Sequence, residues 1–530
     1  MKFNSRRSTV MARRGMVATS QPLAATAGLR VLMDGGNAID GAVAAAAALS
    51  VVEPASTGAG GDLFALVWMD GEKRVRALNA SGRSPAAASP EELRGRGLTA
   101  VPTESAYAVT VPGAVSGWAA LLDAHGMMPL SEVLKPAIGY ATDGYPVSEV
   151  ISSHWADSVP KLLAHPSGNE LLMGGRAPRT GEVMRLPKLA GTLRAIAEGG
   201  ADAFYNGPLA ERTARFVQEQ GGWLSAEDMA NHGAAWVEPI STDYRGVTCW
   251  QCPPNSQGVN ALMALDLAEG FDIPGMGFQT ADAYHHLIEC MRLALADGLY
   301  HVTDPERMRV SVEELLSKSY ASRRRKQIRP DAVMGPVASD LASSHGDTVY
   351  VACIDGDGNA CSLINSVYMG FGTGLVVPGT GMALQNRGAS FSLDPAHPNA
   401  LEPNKLPYHT LIPGMATRGG ELWLCYGVMG AMQQAQGHMQ VLVNMADFGL
   451  DPQGALDAPR FSVRADDEVA IEDMVRPDVI SDLEGRGHNL TVRPPHGIFF
   501  GGGQIVERDP ETGVLKGGSE PRLDGCALGW

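Results

Sequence analysis

Residues 347–360 open on Asp347 and Thr348 and run on as a short β-rich segment. A threonine hydroxyl is a poor nucleophile near neutral pH. Cutting the peptide bond between Asp347 and Thr348 would change that. The freed α-amine, with a reference pKa of about 7.7–8.0, accepts the hydroxyl proton at working pH. One residue then supplies both nucleophile and base. Attack on an amide carbonyl would give an acyl-enzyme, and water would release the acid. Other chemistries have weaker support. Cys249 and Cys252 have CxxC spacing, but no second pair follows at zinc-site distance, and buried thiols are the expectation. His285 and His286 are adjacent, with no HExxH. No Gly-x-Ser-x-Gly elbow occurs, which weakens a Ser-His-Asp hydrolase. The glycine turn at 58–61 fits neither phosphate-binding pattern and reads as a tight, closely packed turn. Neither metal nor organic cofactor is expected.

The elements that must position Thr348 are readable on both sides of it. Apolar residues at helical spacing from Leu23 to Met33 predict a helix stopped by Gly35 and Gly36. Asn37 caps a second helix over 38–52, whose small residues all round imply a buried position. Residues 63–68 read as a strand, and 111–118 lead into a helix with Pro112 near its start. Residues 327–347 hold two prolines and several small polar residues, and read as an exposed linker. Beyond it, 348–354 and 360–364 read as strands joined by the hairpin turn 355–358. The fold class is layered α+β, with helices packed on antiparallel sheets. A linker feeding a core-type strand implies that 348–530 shares one core with 1–347.

Composition narrows the function. With 58 acidic and 42 basic residues the net charge is −16, which argues against binding a phosphate backbone. The basic run 323–326 reads as a solvated helix end. No apolar run approaches the roughly 18 residues of a membrane span, so no membrane partner is expected. The N-terminal stretch lacks the apolar core of an export signal, which predicts a cytoplasmic protein.

These residues together resemble the γ-glutamyltransferase family of N-terminal nucleophile hydrolases. The likeness runs through residues 21–24, 35–42, 58–61, 111–113 and 244–246. It continues through Asp347 and Thr348 to 355–360, 371–374 and 403–405. The resemblance implies a four-layer αββα sandwich and an inactive precursor that cuts itself between Asp347 and Thr348. The fragments would be 1–347 and 348–530, each the other's partner, and the resemblance allows a homodimer of that pair. It also implies that backbone N–H groups of Gly430 and Ala431 hold the oxyanion, acceptable for an alanine if φ stays negative. Ser366 matches a hydroxyl residue that hydrogen-bonds the nucleophile.

Departures from the family pattern redirect the substrate. Ser81 stands where the family's carboxylate-binding arginine belongs, with Arg83 two residues on. Ser390 replaces the acid that would hold an α-amine. In their place stand Asn365, Tyr368, Arg387, His409 and Thr410. An arginine, a tyrosine and a histidine near the nucleophile suit a small carboxylate-bearing amide. The expectation is therefore a threonine amidohydrolase similar to oxamate amidohydrolase. The rivals are a γ-glutamyl hydrolase or transferase, a glutaryl or cephalosporin acylase, and an unprocessed binding protein.

Overall fold

The computed structural model describes residues 7–335, 337, 347–495 and 499–530. Two seven-stranded sheets form its centre. The first sheet runs, edge to edge, through Cys526–Gly529, Gly15–Thr19, Asp347–Asp355, Ala360–Tyr368, Asp62–Met69, Arg74–Ala80 and Ala235–Val237. The second holds Val10–Ala12, Leu515–Ser519, Gly502–Arg508, Glu421–Met429, Gly414–Arg418, Val247–Gln251 and Ile240–Tyr244. Every pairing within these two sheets is antiparallel.

The period of two along the strand Asp347–Asp355 divides its side chains between two cores. Val349, Val351 and Cys353 join the helices over the outer face, and Tyr350, Ala352 and Ile354 pack between the sheets. Helices Pro22–Met33, Ala38–Val52 and Ala114–His125 cover the first sheet. Helices Gly258–Glu269, Ala281–His301 and Gln433–Ala446 cover the second. The result is the αββα sandwich. Strands of 347–368 lie between strands from the first eighty residues, so the two halves of the chain share one core.

Local expectations hold where capping chemistry is explicit. Asn37 accepts from the backbone N–H groups of Ile39 and Asp40, and Asp40 reciprocates on the Asn37 N–H. Every residue of Ala38–Val52 is buried. The helix before it stops in a Schellman turn: Gly36 N–H reaches Val31 O at 2.9 Å, and Gly35 adopts φ +99°. Pro112 lies just ahead of its helix, which begins at Ala114.

Three expectations need correction. The second hairpin strand extends to Tyr368, because Asp62–Trp68 pairs along it as far as Ser366 and Asp347 pairs with Tyr368 itself. Residues 327–335 are irregular but anchored: Ile328 and Met334 are buried, and Met334 N–H donates to Glu289 Oε2 at 2.7 Å. Positions 336 and 338–346 of the expected linker lie outside the described residues. The run 323–326 is partly structural, since Arg324 pairs with Asp297 and Arg325 donates to the carbonyls of Asp266 and Leu267. Of the cysteines, all are unpaired and all but Cys526 are fully buried.

The glycine turn is a close-approach device. A Cβ on Gly61 would lie 2.3 Å from the Ser366 carbonyl oxygen, a backbone atom that cannot swing away. Gly61→Ala is therefore expected to lower stability by about 1–3 kcal/mol and to displace Ser366. Thermal denaturation beside an activity assay checks both effects.

Candidate active site

Thr348 is buried at the start of its strand, beside a register shift between Asp347 and Val349. Its hydroxyl donates to Ser366 Oγ at 3.1 Å. Ser366 Oγ also accepts the Tyr368 N–H at 2.7 Å. Two hydroxyls therefore meet at the centre of the first sheet, on adjacent strands held by helices behind them. Asp347 faces Tyr368 in the same register.

Tyr368 leads to the arginine. Its ring lies under the Arg387 guanidinium, with Cζ 3.9 Å from the centroid. Arg387 is 1% exposed and donates from Nη1 to Thr410 Oγ1 at 2.9 Å. Its Nε and Nη2 have no partner among the described residues. Burial pulls the guanidinium below its ordinary value, partly offset by Tyr368 and Asp62. A buried cation with two unused donors is costly unless something fills them.

His409 is committed on both ring nitrogens. Nδ1 accepts the Leu411 N–H at 3.2 Å, so Nε2 carries the proton and faces Asp62 Oδ2 at 3.1 Å. Burial and the Arg387 charge hold the ring well below the ordinary histidine range, so it is neutral. His409 thus orders the pocket and has no free nitrogen to offer a ligand. Asn365 donates from Nδ2 to Asp62 O at 3.0 Å, leaving its Oδ1 buried and unpartnered among the described residues.

Gly430 and Ala431 form the turn between strand Glu421–Met429 and helix Gln433–Ala446. The expected negative φ at Ala431 is not found: φ is +51° there and +127° at Gly430. Left-handed backbone costs an alanine roughly 1–2 kcal/mol. The turn is held because Gln257 Nε2 donates to Ala431 O at 2.9 Å. The same amide donates to Thr410 O at 2.8 Å. Thr348, Ser366, Tyr368, Arg387, Thr410 and the Gly430–Ala431 turn are therefore linked contact by contact, with His409 and Asn365 joined through Asp62.

Ser81 and Ser390, expected to stand in for charged residues, are occupied. Ser81 Oγ donates to Asn79 Oδ1 at 2.7 Å and accepts from Asn255 Nδ2 at 3.2 Å. Ser390 Oγ donates toward the Arg387 and Tyr408 carbonyls, each at 2.8 Å. Arg83 is turned away, paired with Asp304 at 2.9 Å.

Sequence reasoning passed over Asp62, Asn255 and Gln257. Asn255 holds the 407–411 segment: its Nδ2 donates to Pro407 O at 2.8 Å and its carbonyl accepts the His409 N–H at 2.9 Å. Both it and Gln257 lie in the polar turn 253–258, whose amides looked like ordinary loop residues. Asp62 carried a usable signal. An acid directly before a wholly apolar strand must be buried and must find partners.

Comparison with known proteins gives the family. The gamma-glutamyltranspeptidase family model matches residues 24–530. A glutathione hydrolase-like YwrD proenzyme of Bacillus subtilis (strain 168) is 37% identical, over 98% of this chain and 99% of its own. An oxamate amidohydrolase proenzyme of Klebsiella pneumoniae subsp. pneumoniae is 34% identical, over 97% of this chain and 98% of its own. The crystal structure of a cephalosporin acylase from Bacillus halodurans superposes with a TM-score of 0.94 and 47% identity, covering 100% of this chain and 98% of that one. With its αββα sandwich and a family match across nearly its whole length, this chain belongs to the gamma-glutamyltranspeptidase family.

Proposed function

We propose that this chain is the precursor of a threonine amidohydrolase that cuts itself between Asp347 and Thr348 and then hydrolyses the amide of a small carboxylate-bearing acid. The observation that carries the substrate class is Arg387, a buried cation with two donors unpartnered among the described residues, reached from Thr348 through Ser366 and Tyr368. A planar fork with two free N–H groups suits a carboxylate.

In the first step Thr348 Oγ attacks the Asp347 carbonyl, and the peptide becomes an ester. Water cleaves that ester, freeing the Thr348 amine and the Asp347 carboxylate. In turnover, the neutral amine takes the hydroxyl proton as Oγ attacks the substrate amide. The N–H groups of Gly430 and Ala431 are the proposed oxyanion donors. The proton passes to the leaving amine, and water, deprotonated by the same amine, releases the acid. Ser366 orients the attacking oxygen, while Tyr368, Thr410 and Asn365 shape the pocket.

A γ-glutamyl substrate fits less well. It brings an α-ammonium, and Ser390, where an acid would be needed, is spent on two backbone carbonyls. The likeness to a cephalosporin acylase favours a second reading, a longer acyl chain such as glutaryl. A substrate panel separates them. Oxamate should yield ammonia, or glutaryl-p-nitroanilide should yield nitroaniline, with γ-glutamyl-p-nitroanilide turned over far more slowly. Preferential turnover of the γ-glutamyl anilide would overturn the reading. For an uncharged amide, kcat/KM should rise with pH and level off above about 8, following the Thr348 amine.

A further inference from the structure

Asp62 is the unassigned group at the centre of this pocket. It is 1% exposed and lies directly opposite Ser366 in the sheet. Oδ1 accepts the N–H groups of Gly82 and Gly113 at 3.1 and 3.2 Å, and Oδ2 faces His409 Nε2. The charged or titratable groups around it are Arg387, His409 and Tyr205, joined after cleavage by the Thr348 amine. With the ring proton on Nε2, Asp62 only accepts, so this arrangement is that of its ionised form, in which the pocket holds one cation and one anion. A substrate carboxylate seated on Arg387 brings a second anion into the same dry volume. Two carboxylates served by one arginine repel, and the standing relief is a proton.

We propose that Asp62 is a specificity determinant: the Asp62–His409 pair takes up one proton when a substrate carboxylate binds at Arg387, so that the enzyme's preference for acidic amides depends on the charge of Asp62. This rests on the reading of Arg387 given above. Either microstate serves, a neutral carboxyl against a ring protonated on Nδ1 or a carboxylate against an imidazolium, because the pair titrates as a unit. Both place a proton on Nδ1 and give up only the long bond to Leu411. Burial already lifts the Asp62 carboxyl to about 7, so the proton exchanges near neutrality. Below that pH the pair is uncharged and the substrate anion is favoured. Above it the carboxylate opposes binding.

The test uses the processed enzyme and two pairs of amides. Each pair sets a carboxylate against an uncharged counterpart: oxamate against oxamide, and glutaryl- against valeryl-p-nitroanilide. The ratio of kcat/KM within a pair cancels the titration of the Thr348 amine as a base. In the wild type this ratio should fall about fivefold or more between pH 6 and pH 9. Asp62→Asn should give a ratio that is flat with pH and no lower than the wild-type value at pH 6. A ratio in Asp62→Asn that is low at every pH would mean that Asp62 only positions its neighbours, and a wild-type ratio flat with pH would mean that no proton is coupled. Either overturns the proposal. Should Asp62→Asn not mature, His409→Leu carries the test. Without its hydrogen bond the carboxylate ionises less readily, so the fall should move up by about one pH unit or more, and an unmoved fall overturns it. Arg387→Ala separates the two readings. If it leaves the ratio unchanged at pH 6, the assignment of Arg387 fails. If it collapses the ratio while Asp62→Asn behaves as wild type, only the proton coupling fails.

Discussion

Thr348→Ala is expected to yield a single band of 530 residues, where the wild type resolves into fragments 1–347 and 348–530. Sequencing the smaller wild-type fragment should give Thr348 first. The variant loses the hydroxyl proposed to attack the Asp347 carbonyl, and with the cut the amine that would serve turnover. Activity should fall by a factor on the order of 10⁴ or more, because nucleophile and base leave together. Folding should survive. Among the described residues the side chain makes one hydrogen bond, to Ser366, whose loss costs about 1 kcal/mol. Thr348→Ser keeps the oxygen and the amine and should process and turn over, more slowly because serine lacks the methyl that fixes χ1. Cleavage of Thr348→Ala at the same bond, or a wild-type chain that stays whole on long incubation, would remove the mechanism.

Arg387→Ala carries the second large effect. A substrate carboxylate on Nε and Nη2 gains two charge-assisted hydrogen bonds, each worth about 1.5–3 kcal/mol. Removing them should cut kcat/KM for the carboxylate-bearing amide by roughly a hundredfold or more. The uncharged counterpart should change by only a few-fold, since nothing in it meets the guanidinium. Arg387→Lys should recover part of the loss at most. An ammonium is a point charge without the planar fork and stacks less well on Tyr368. An equal fall for both amides would mean that Arg387 supports the site structurally and reads no anion. Its two idle donors also bear on stability. Such groups are retained where a ligand completes them, so wild-type melting should rise on adding a small dicarboxylate and the Arg387→Ala midpoint should not.

The local elements around the site were legible because their signals are short-range. Asn37 with Asp40, Gly35 with Gly36, and the Asp355–Gly358 turn each act within a few residues, and each appears as expected. The all-small helix 38–52 announced its burial through composition alone. The misses are long-range. Residues 327–335 look like solvent linker until Met334 meets Glu289, a partner 45 positions away. The strand runs past Ile364 because Asp62–Trp68 pairs with it as far as Ser366, a partner some three hundred positions away, and it ends where Tyr368 pairs with Asp347. The left-handed φ of Ala431 follows from a strand-to-helix turn fastened by Gln257, 174 positions away.

The sequence by itself determined the fold class and the family, and it named the proposed nucleophile and most of the proposed pocket residues. A threonine heading a core strand after a break in periodicity is a one-dimensional pattern. So is a serine standing where an arginine or an acid belongs. What only the tertiary structure decided is how those residues divide their hydrogen bonds. Arg387 and His409 looked alike in sequence, as two polar groups beside a nucleophile. Folding spends both nitrogens of His409 on Leu411 and Asp62 and leaves two nitrogens of Arg387 without a partner among the described residues. It also brings in Asp62, from a strand some three hundred residues earlier, as the charge that answers the arginine. Residue type sets what a group can donate or accept. Which bonds remain open for a substrate depends on the partners that packing supplies, and those come from every part of the chain.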